Sequence, residues 1–450
     1  MQRFIEQCRK AGDVLDIHAE VDPEFEAAAI TAEVQARGNQ IVVFHRVRGY
    51  DIPVVTNVYG CRHRLARILG VAAGGGDSVS QALNRHIESS VGSRSPATAE
   101  ASQSSGRQAC RLSQIPLLRY HEEDAGRYLT AGVFLVRDPD NGVHNLSFHR
   151  GMYVSDDELR ISIGPRHDLG RLQARAEARD AEVPATILLS ASPALFVAAC
   201  TSIPPEADEL ALAASIAGAP LATAPAHTQD LAVPLDADIV IEGRILPHER
   251  RPEAPFGEWM GYYIDEKQSH VFAVDHVEAR PGAIAHGLLC GSAEDLRPLE
   301  ASTAARIFKM LNQQFPGIVD VVCFPTMLCT VISLRPAYEG HARQVLLAAV
   351  TAHFMYSKLC IVVDDDVDPY SLEDVVWAFV TRARPDQRAL VLGDLPGFFR
   401  DPHKDHWGRL ALDATIPWGR NHEFRRKSVP GRDRVRLTEL LAAQPSTSQE

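Results

Sequence analysis

Residues 128–154 read YLTAGVFLVRDPDNGVHNLSFHRGMYV, and this stretch decides the fold. Its apolar residues are largely β-branched or aromatic, they alternate with polar ones, and a turn-rich Asp-Pro-Asp-Asn-Gly separates two such runs. The texture continues through LRISIG, ATILLSASP, ADIVIEGRI, HVFAVDHVEA and AIAHGLLCG as far as Gly291. So many short strands, punctuated by Gly, Pro and Asp, predict a barrel or sandwich. A helix over 169–181 and a shorter one after Asp208 interrupt them.

The flanks read differently. On the N-terminal side, 4–15 has helical spacing, 40–44 and 51–57 are short strands, and 63–69 is a helix ending at Gly70. Gly74-Gly75-Gly76 breaks the chain without the spacing of a phosphate loop. Segment 92–108 (GSRSPATAEASQSSGRQ) has no periodicity and predicts a mobile loop. On the C-terminal side, helices over 301–315, 341–356 and 372–383 alternate with strands over 327–334 and 359–364, and aspartates 364–366 end the last strand. The chain is therefore an α+β or α/β multidomain protein. Its expected parts are an α/β domain at 1–110, a strand-rich domain at 111–300 and an α/β domain at 301–450.

Composition bounds the function. Of 450 residues, 45% are apolar and 23% charged, which supports large buried cores and excludes a disordered or disulfide-scaffold protein. Asp plus Glu is 58 against 46 Lys plus Arg, a formal charge of −12, and no long basic run offsets it. Nucleic acid is not an expected partner, because its binding rests on phosphate neutralisation. No apolar run approaches the roughly 20 residues of a membrane span. The eight cysteines are scattered without a CxxC pair, as reduced thiols of a cytoplasmic protein are, and the first residues lack the order of a secretion signal.

Two groups of residues carry chemistry. Asn145, His167 and Glu209 offer an amide oxygen, an imidazole and a carboxylate, a mixture that suits Mn²⁺ or a similar cation with open positions better than Zn²⁺ or Ca²⁺. Spacing does not show that they converge, and the plain alternatives are a helix-entrance histidine and a first-turn acid. Asn145 and Arg150 are five apart, so a regular strand would point them to opposite faces unless a turn intervenes. The second group is RPEAPFGEWMGYY, 251–263, where Pro252, Pro255 and Gly257 make a stiff turn carrying Glu253 and Glu258. Aromatic neighbours would raise the pKa of a glutamate placed against them, as a general acid requires. A surface hairpin with two solvated acids is the competing reading.

These pieces resemble one family. DAGRYLTAGVFLVRDPDNGVHN, NLSFHRGM, IPPEADELALAASIAG, DADIVIEGRI, PEAPFGEWMGYY, CIVVDDDVDPYSLEDVVWAFVTRARPD and GRLALDAT are similar, in order and approximate spacing, to the UbiD decarboxylases that use prenylated FMN. The resemblance covers most of the chain from about residue 112. It implies a central split β-barrel that binds flavin and a C-terminal domain used for oligomerisation, as a homodimer or larger homo-oligomer. It implies Mn²⁺ on Asn145, His167 and Glu209, and K⁺ near Thr201, Ile203, Glu209 and Asp413. The cofactor would run along Asn145, Ser147, Phe148, His149, Arg150, Arg166, His167 and Glu209, with Arg382 on its phosphate. Arg150 matches the active-site arginine, Glu253 and Glu258 its carboxylate partners, and Glu258 the proton donor to carbon. A flavin prenyltransferase would supply the cofactor, and the substrate would be an aromatic, heteroaromatic or α,β-unsaturated carboxylic acid. Leu296, Leu299, Glu300 and Trp418 fall where the far side of its pocket is expected. A carboxylase working in reverse, an Mn²⁺-dependent hydrolase and a non-catalytic subunit are the alternatives weighed against this reading.

Overall fold

The computed structural model describes residues 1–450 apart from 73–76, 94–104, 205–206, 266–267, 354, 399, 404–407, 432–433, 437–439 and 441–450. The triple glycine at 74–76 and most of the expected loop at 92–108 lie outside the described residues.

Three main sheets organise the chain. The N-terminal sheet orders Val14–Val21, Ile41–Val47, Val54–Thr56 and Ala285–His286. The central sheet has nine strands, running from Tyr128–Leu129 through Gly151–Ser155, Glu158–Ile161, Ser269–Ala279, Ile239–Arg251, Val183–Leu189 and Val133–Arg137 to His144–Phe148. Gln108–Ala109 adds to Ser269–Ala279, and every pairing in this sheet is antiparallel. It is a curled half-barrel. The C-terminal sheet orders Ile318–Cys323, Cys329–Leu334, Leu359–Asp364, Arg409–Asp413 and Ala389–Leu392.

Several expectations change on contact with the structure. AIAHGLLCG forms only the strand Ala285–His286, and it pairs with Val54–Thr56 of the N-terminal sheet, not with the barrel. The first helix stops at Lys10, so Leu15 belongs to a strand. ATILLSASP ends as a strand at Leu189, Ser190 has a positive φ, and Pro193 opens a helix, Pro193–Ala199. The helix expected at 301 begins at Ala293, where Ser292 caps the Glu294 amide and Glu294 and Asp295 fill the first turn. The helix at His341 ends at Ala349, short of Tyr356.

The C-terminal sheet explains why its strands read as unbroken apolar runs. Val321, Ile332 and Val362 fill one core while Val322, Val331, Ile361 and Val363 fill another, alternating along each strand. Helices cover both faces, so period-2 polarity is lost. In contrast, Phe44 of the N-terminal sheet and Phe134 and Phe272 of the central sheet belong to one continuous core.

Candidate active site

Strand His144–Phe148 ends one residue before the chain turns, and the next strand starts at Gly151. His149 and Arg150 form that turn, which releases Arg150 from the strand's alternation. Asn145 therefore faces one set of partners and Arg150 another.

Asn145 meets Glu209. The helix Glu209–Ala217 begins at Asp208, whose Oδ1 accepts from the Leu210 and Ala211 amides. The other oxygen of Asp208 pairs with His144 Nδ1 at 2.9 Å, fixing this helix end to the strand. Glu209, the first helical residue, then accepts from the Leu146 amide at 3.1 Å and from Asn145 Nδ2 at 3.3 Å. Burial pushes its pKa up to about 8, against the hydrogen bond from Leu146. Asn145 Oδ1, Ser147 Oγ and His149 Nε2 are buried without a protein partner, three such atoms within five residues. Buried polar atoms normally have partners, so this run marks a ligand-facing edge.

His167 caps the helix Asp168–Glu177 by position, with its ring 5.5 Å from that of His149. Its residue surface is exposed, yet surrounding atoms strip water from the ring and lower its pKa, which keeps the imidazole neutral and able to donate its lone pair. The Asp168 carboxylate acts electrostatically on both His167 and Glu209. An unpartnered amide oxygen, a poorly compensated carboxylate and a neutral imidazole fit a divalent cation of the Mn²⁺ kind.

The second group converges on Arg150. Its Nε and Nη2 donate to the two oxygens of Glu253, both at 2.9 Å, and its Nη1 donates to Glu258 at 2.6 Å. Its guanidinium lies 4.8 Å from the centre of the Phe256 ring. Glu253 is fully buried and takes a further bond from Ser269 Oγ. The 251–263 segment is a hairpin, with Phe256–Gly257 paired to Tyr263–Ile264, but its acids face inward. Gly257 is required there: a Cβ would come within 2.5 Å of the His121 ring, and its amide donates to Asp124.

Sequence reasoning missed three neighbours of Glu258. Arg400 forms an ion pair with it at 2.7 Å, and the adjacent Phe398 packs on Trp259 with ring centres 4.9 Å apart. Glu258 thus sits between two guanidiniums, the expected Arg150 and the unexpected Arg400. Asp295 is buried, accepts from the Gly291 amide at 2.7 Å and from Cys290 Sγ, and its pKa rises to about 6 through burial. Tyr356 feels the Glu258 charge, although burial is the larger cause of its pKa reaching about 12. The segment around Arg400 has no helical or strand rhythm, and the contact exists only after folding.

The remaining expected residues have the following surroundings. Arg382 is buried inside the C-terminal domain, bonded to Asp364, Asp366 and the Phe424 carbonyl, so its donors are committed there and not to a phosphate. Asp413 ends a C-terminal strand, where its Oδ1 accepts from the Thr415 amide and hydroxyl. Thr201 and Ile203 follow the helix Pro193–Ala199, and Thr201 donates to the Val197 carbonyl. Arg166 is exposed beside His167. Glu300, expected in the substrate pocket, pairs with Arg297 and lines a separate cavity of about 30 Å³ with Arg62 and Val322. Leu296 is buried and Trp418 is exposed.

Three family models, all of 3-octaprenyl-4-hydroxybenzoate carboxy-lyase, match successive parts of the sequence. The N-terminal domain model matches residues 5–82, the Rift-related domain model 91–293 and the C-terminal domain model 299–414. The chain belongs to the UbiD family. Among its relatives, the anhydromevalonate phosphate decarboxylase of Methanothermobacter thermautotrophicus is 30% identical over 95% of this chain and 99% of its own. The phenolic acid decarboxylase of Bacillus subtilis is 29% identical over 92% of each. The UbiD-class enzyme HmfF of Pelotomaculum thermopropionicum, solved with FMN, superposes with a TM-score of 0.89 at 30% identity, covering 97% of this chain and 99% of that one. This UbiD protein is a decarboxylase, and the hydrolase and scaffold alternatives fall away. Among the described residues no helix is long and apolar enough to cross a membrane.

Proposed function

We propose that this UbiD enzyme uses prenylated FMN to remove CO₂, reversibly, from an aromatic, heteroaromatic or α,β-unsaturated carboxylic acid. The observation that carries the proposal is the Arg150 guanidinium shared by Glu253 and Glu258, next to the segment 145–149 with its three unpartnered buried polar atoms. An evolved dimeric form of HmfF was solved with prenylated FMN, which supports the choice of cofactor. Asn145, His167 and Glu209 would hold Mn²⁺, and Thr201 and Ile203 a K⁺ near the phosphate. Ser147 and His149 would meet the flavin along the strand edge. Leu372, Val376 and Val380 form an exposed apolar stripe on one C-terminal helix, which supports a homo-oligomer.

When bound, the prenylated flavin supplies an electron sink for the carbon that loses CO₂. The protein's own residues do the rest. Arg400 receives the substrate carboxylate, exchanging it for Glu258. Released from that cation, Glu258 takes up a proton, and it delivers this proton to the carbon that CO₂ has left. Arg150, fixed by two bonds to buried Glu253, keeps Glu258 in place through the exchange. The Glu258 side chain keeps 14% exposure, so solvent supplies the proton that it takes up.

The test is coexpression with a flavin prenyltransferase followed by a screen of carboxylic acids for CO₂ release. One class of acid is expected to turn over, and Glu258→Gln to retain the flavin spectrum while turnover is abolished. Full activity in Glu258→Gln removes the proton-donor role. A loaded enzyme inert towards every class would overturn the proposal.

A further inference from the structure

Outside the Arg150 and Asn145 groups, His227, His276 and Glu278 bring three ligand atoms within 4.8 Å of one another, one from each side chain. His276 and Glu278 are two apart on the strand Ser269–Ala279, so they share a face. His227 comes from the loop between Thr223–Pro225 and Ala232–Pro234. Its Nε2 lies 3.0 Å from Glu278 Oε2, that of His276 lies 3.9 Å from the same oxygen, and the two ring centres are 4.5 Å apart.

The surroundings hold this arrangement rigidly. Glu278 is buried, and its other oxygen, Oε1, is taken by Arg107 at 3.1 Å. Arg107 cannot swing away, because it also donates to the carbonyls of Pro234, Leu235 and Ala237. Glu278 Oε2 is therefore directed at the imidazoles. Glu242, the cross-strand partner of His276, accepts from the amides of His227 and Thr228 and from the Thr228 hydroxyl, which fixes the loop.

We propose that His227, His276 and Glu278 bind a transition-metal dication of the Zn²⁺ type, with water in a fourth position. Two imidazoles and one carboxylate are a three-residue zinc set with an open site, and imidazole selects this class of metal over Mg²⁺ or Ca²⁺. The bound ion would clamp the 226–231 loop to the barrel strand that also receives Gln108–Ala109. It is a different donor set from the amide, imidazole and carboxylate at Asn145, His167 and Glu209, so the two sites would load different metals.

The experiment uses the full-length protein, stripped with a chelator, loaded with Mn²⁺ and dialysed against Zn²⁺. Wild type is expected to retain one Zn²⁺ per chain more than the double variant His227→Gln/His276→Gln. Zn²⁺ is expected to raise the Tm of wild type and not of the variant. Both histidines are partly exposed, so the variant should fold, and matching circular dichroism verifies it. Replacing Zn²⁺ by Co²⁺ should give the visible bands of a tetrahedral site in wild type alone. Equal Zn²⁺ content in the two proteins would overturn the assignment.

Discussion

At Glu258 two cations compete for one carboxylate: Arg150 at 2.6 Å and Arg400 at 2.7 Å. Arg150 is anchored on Glu253, so under the proposed function Arg400 is the cation that would exchange Glu258 for a substrate carboxylate. Arg400→Gln should raise KM by roughly 10- to 100-fold, the loss of a charged hydrogen bond, with a smaller fall in kcat. Arg400→Lys should recover part of the affinity. Steady-state kinetics on the loaded enzyme check this, and an unchanged KM contradicts it. Asp295 yields a prediction in pH. Its folded pKa of about 6 lies above its ordinary 3.8, so the stability associated with its protonated form is complete below about pH 4 and lost as pH rises through about 6. Asn does not titrate. The stability of Asp295→Asn relative to wild type should therefore grow between about pH 4 and about pH 7, by on the order of 3 kcal/mol for a shift of about two units. Urea unfolding at the two pH values measures it, and a pH-independent difference would count against it.

At the scale of elements, the strand His144–Phe148 and the helix Glu209–Ala217 act as one unit. The His144–Asp208 pair joins their backbones, and the Leu146 amide and Asn145 side chain hold the Glu209 carboxylate. Glu209→Ala should lose the divalent cation and the flavin together, seen as metal and flavin contents after dialysis. Retention of either one separates the two sites. Much of this was legible in the sequence. PEAPFGEWMGYY could not be a helix and its prolines and glycines forced a turn, while the pairing of its two acids with Arg150 came from the family resemblance. Strand alternation alone said that Asn145 and Arg150 could share a pocket only if a turn came between them, and the turn is there. What the sequence lacked was contact at a distance. Nothing local in PGFFR points Arg400 at Glu258, and nothing local separates ATILLS from the helix that Pro193 begins.

The whole molecule is tied together across its sheets. Asp320 of the C-terminal sheet accepts from Ser80 of an N-terminal helix and from Tyr370, both at 2.7 Å, while Ala285–His286 returns to the N-terminal sheet after the barrel. These exchanges make boundaries drawn from texture approximate, since the long helix Ala293–Gln314 passes through residue 300 without a break. They also bear on Arg382, which the family resemblance associated with the cofactor phosphate. Its buried guanidinium bridges Asp364 and Asp366, donates to the Phe424 carbonyl and lies 4.9 Å from the centre of the Trp377 ring. Removing it leaves two buried carboxylates without their cation, and breaking such a pair costs about 3–5 kcal/mol. Arg382→Ala should therefore lower the unfolding free energy of the protein by that amount, read as a lower denaturant midpoint, while flavin stays bound after dialysis in native buffer. A variant with wild-type stability that releases its flavin would return Arg382 to the phosphate.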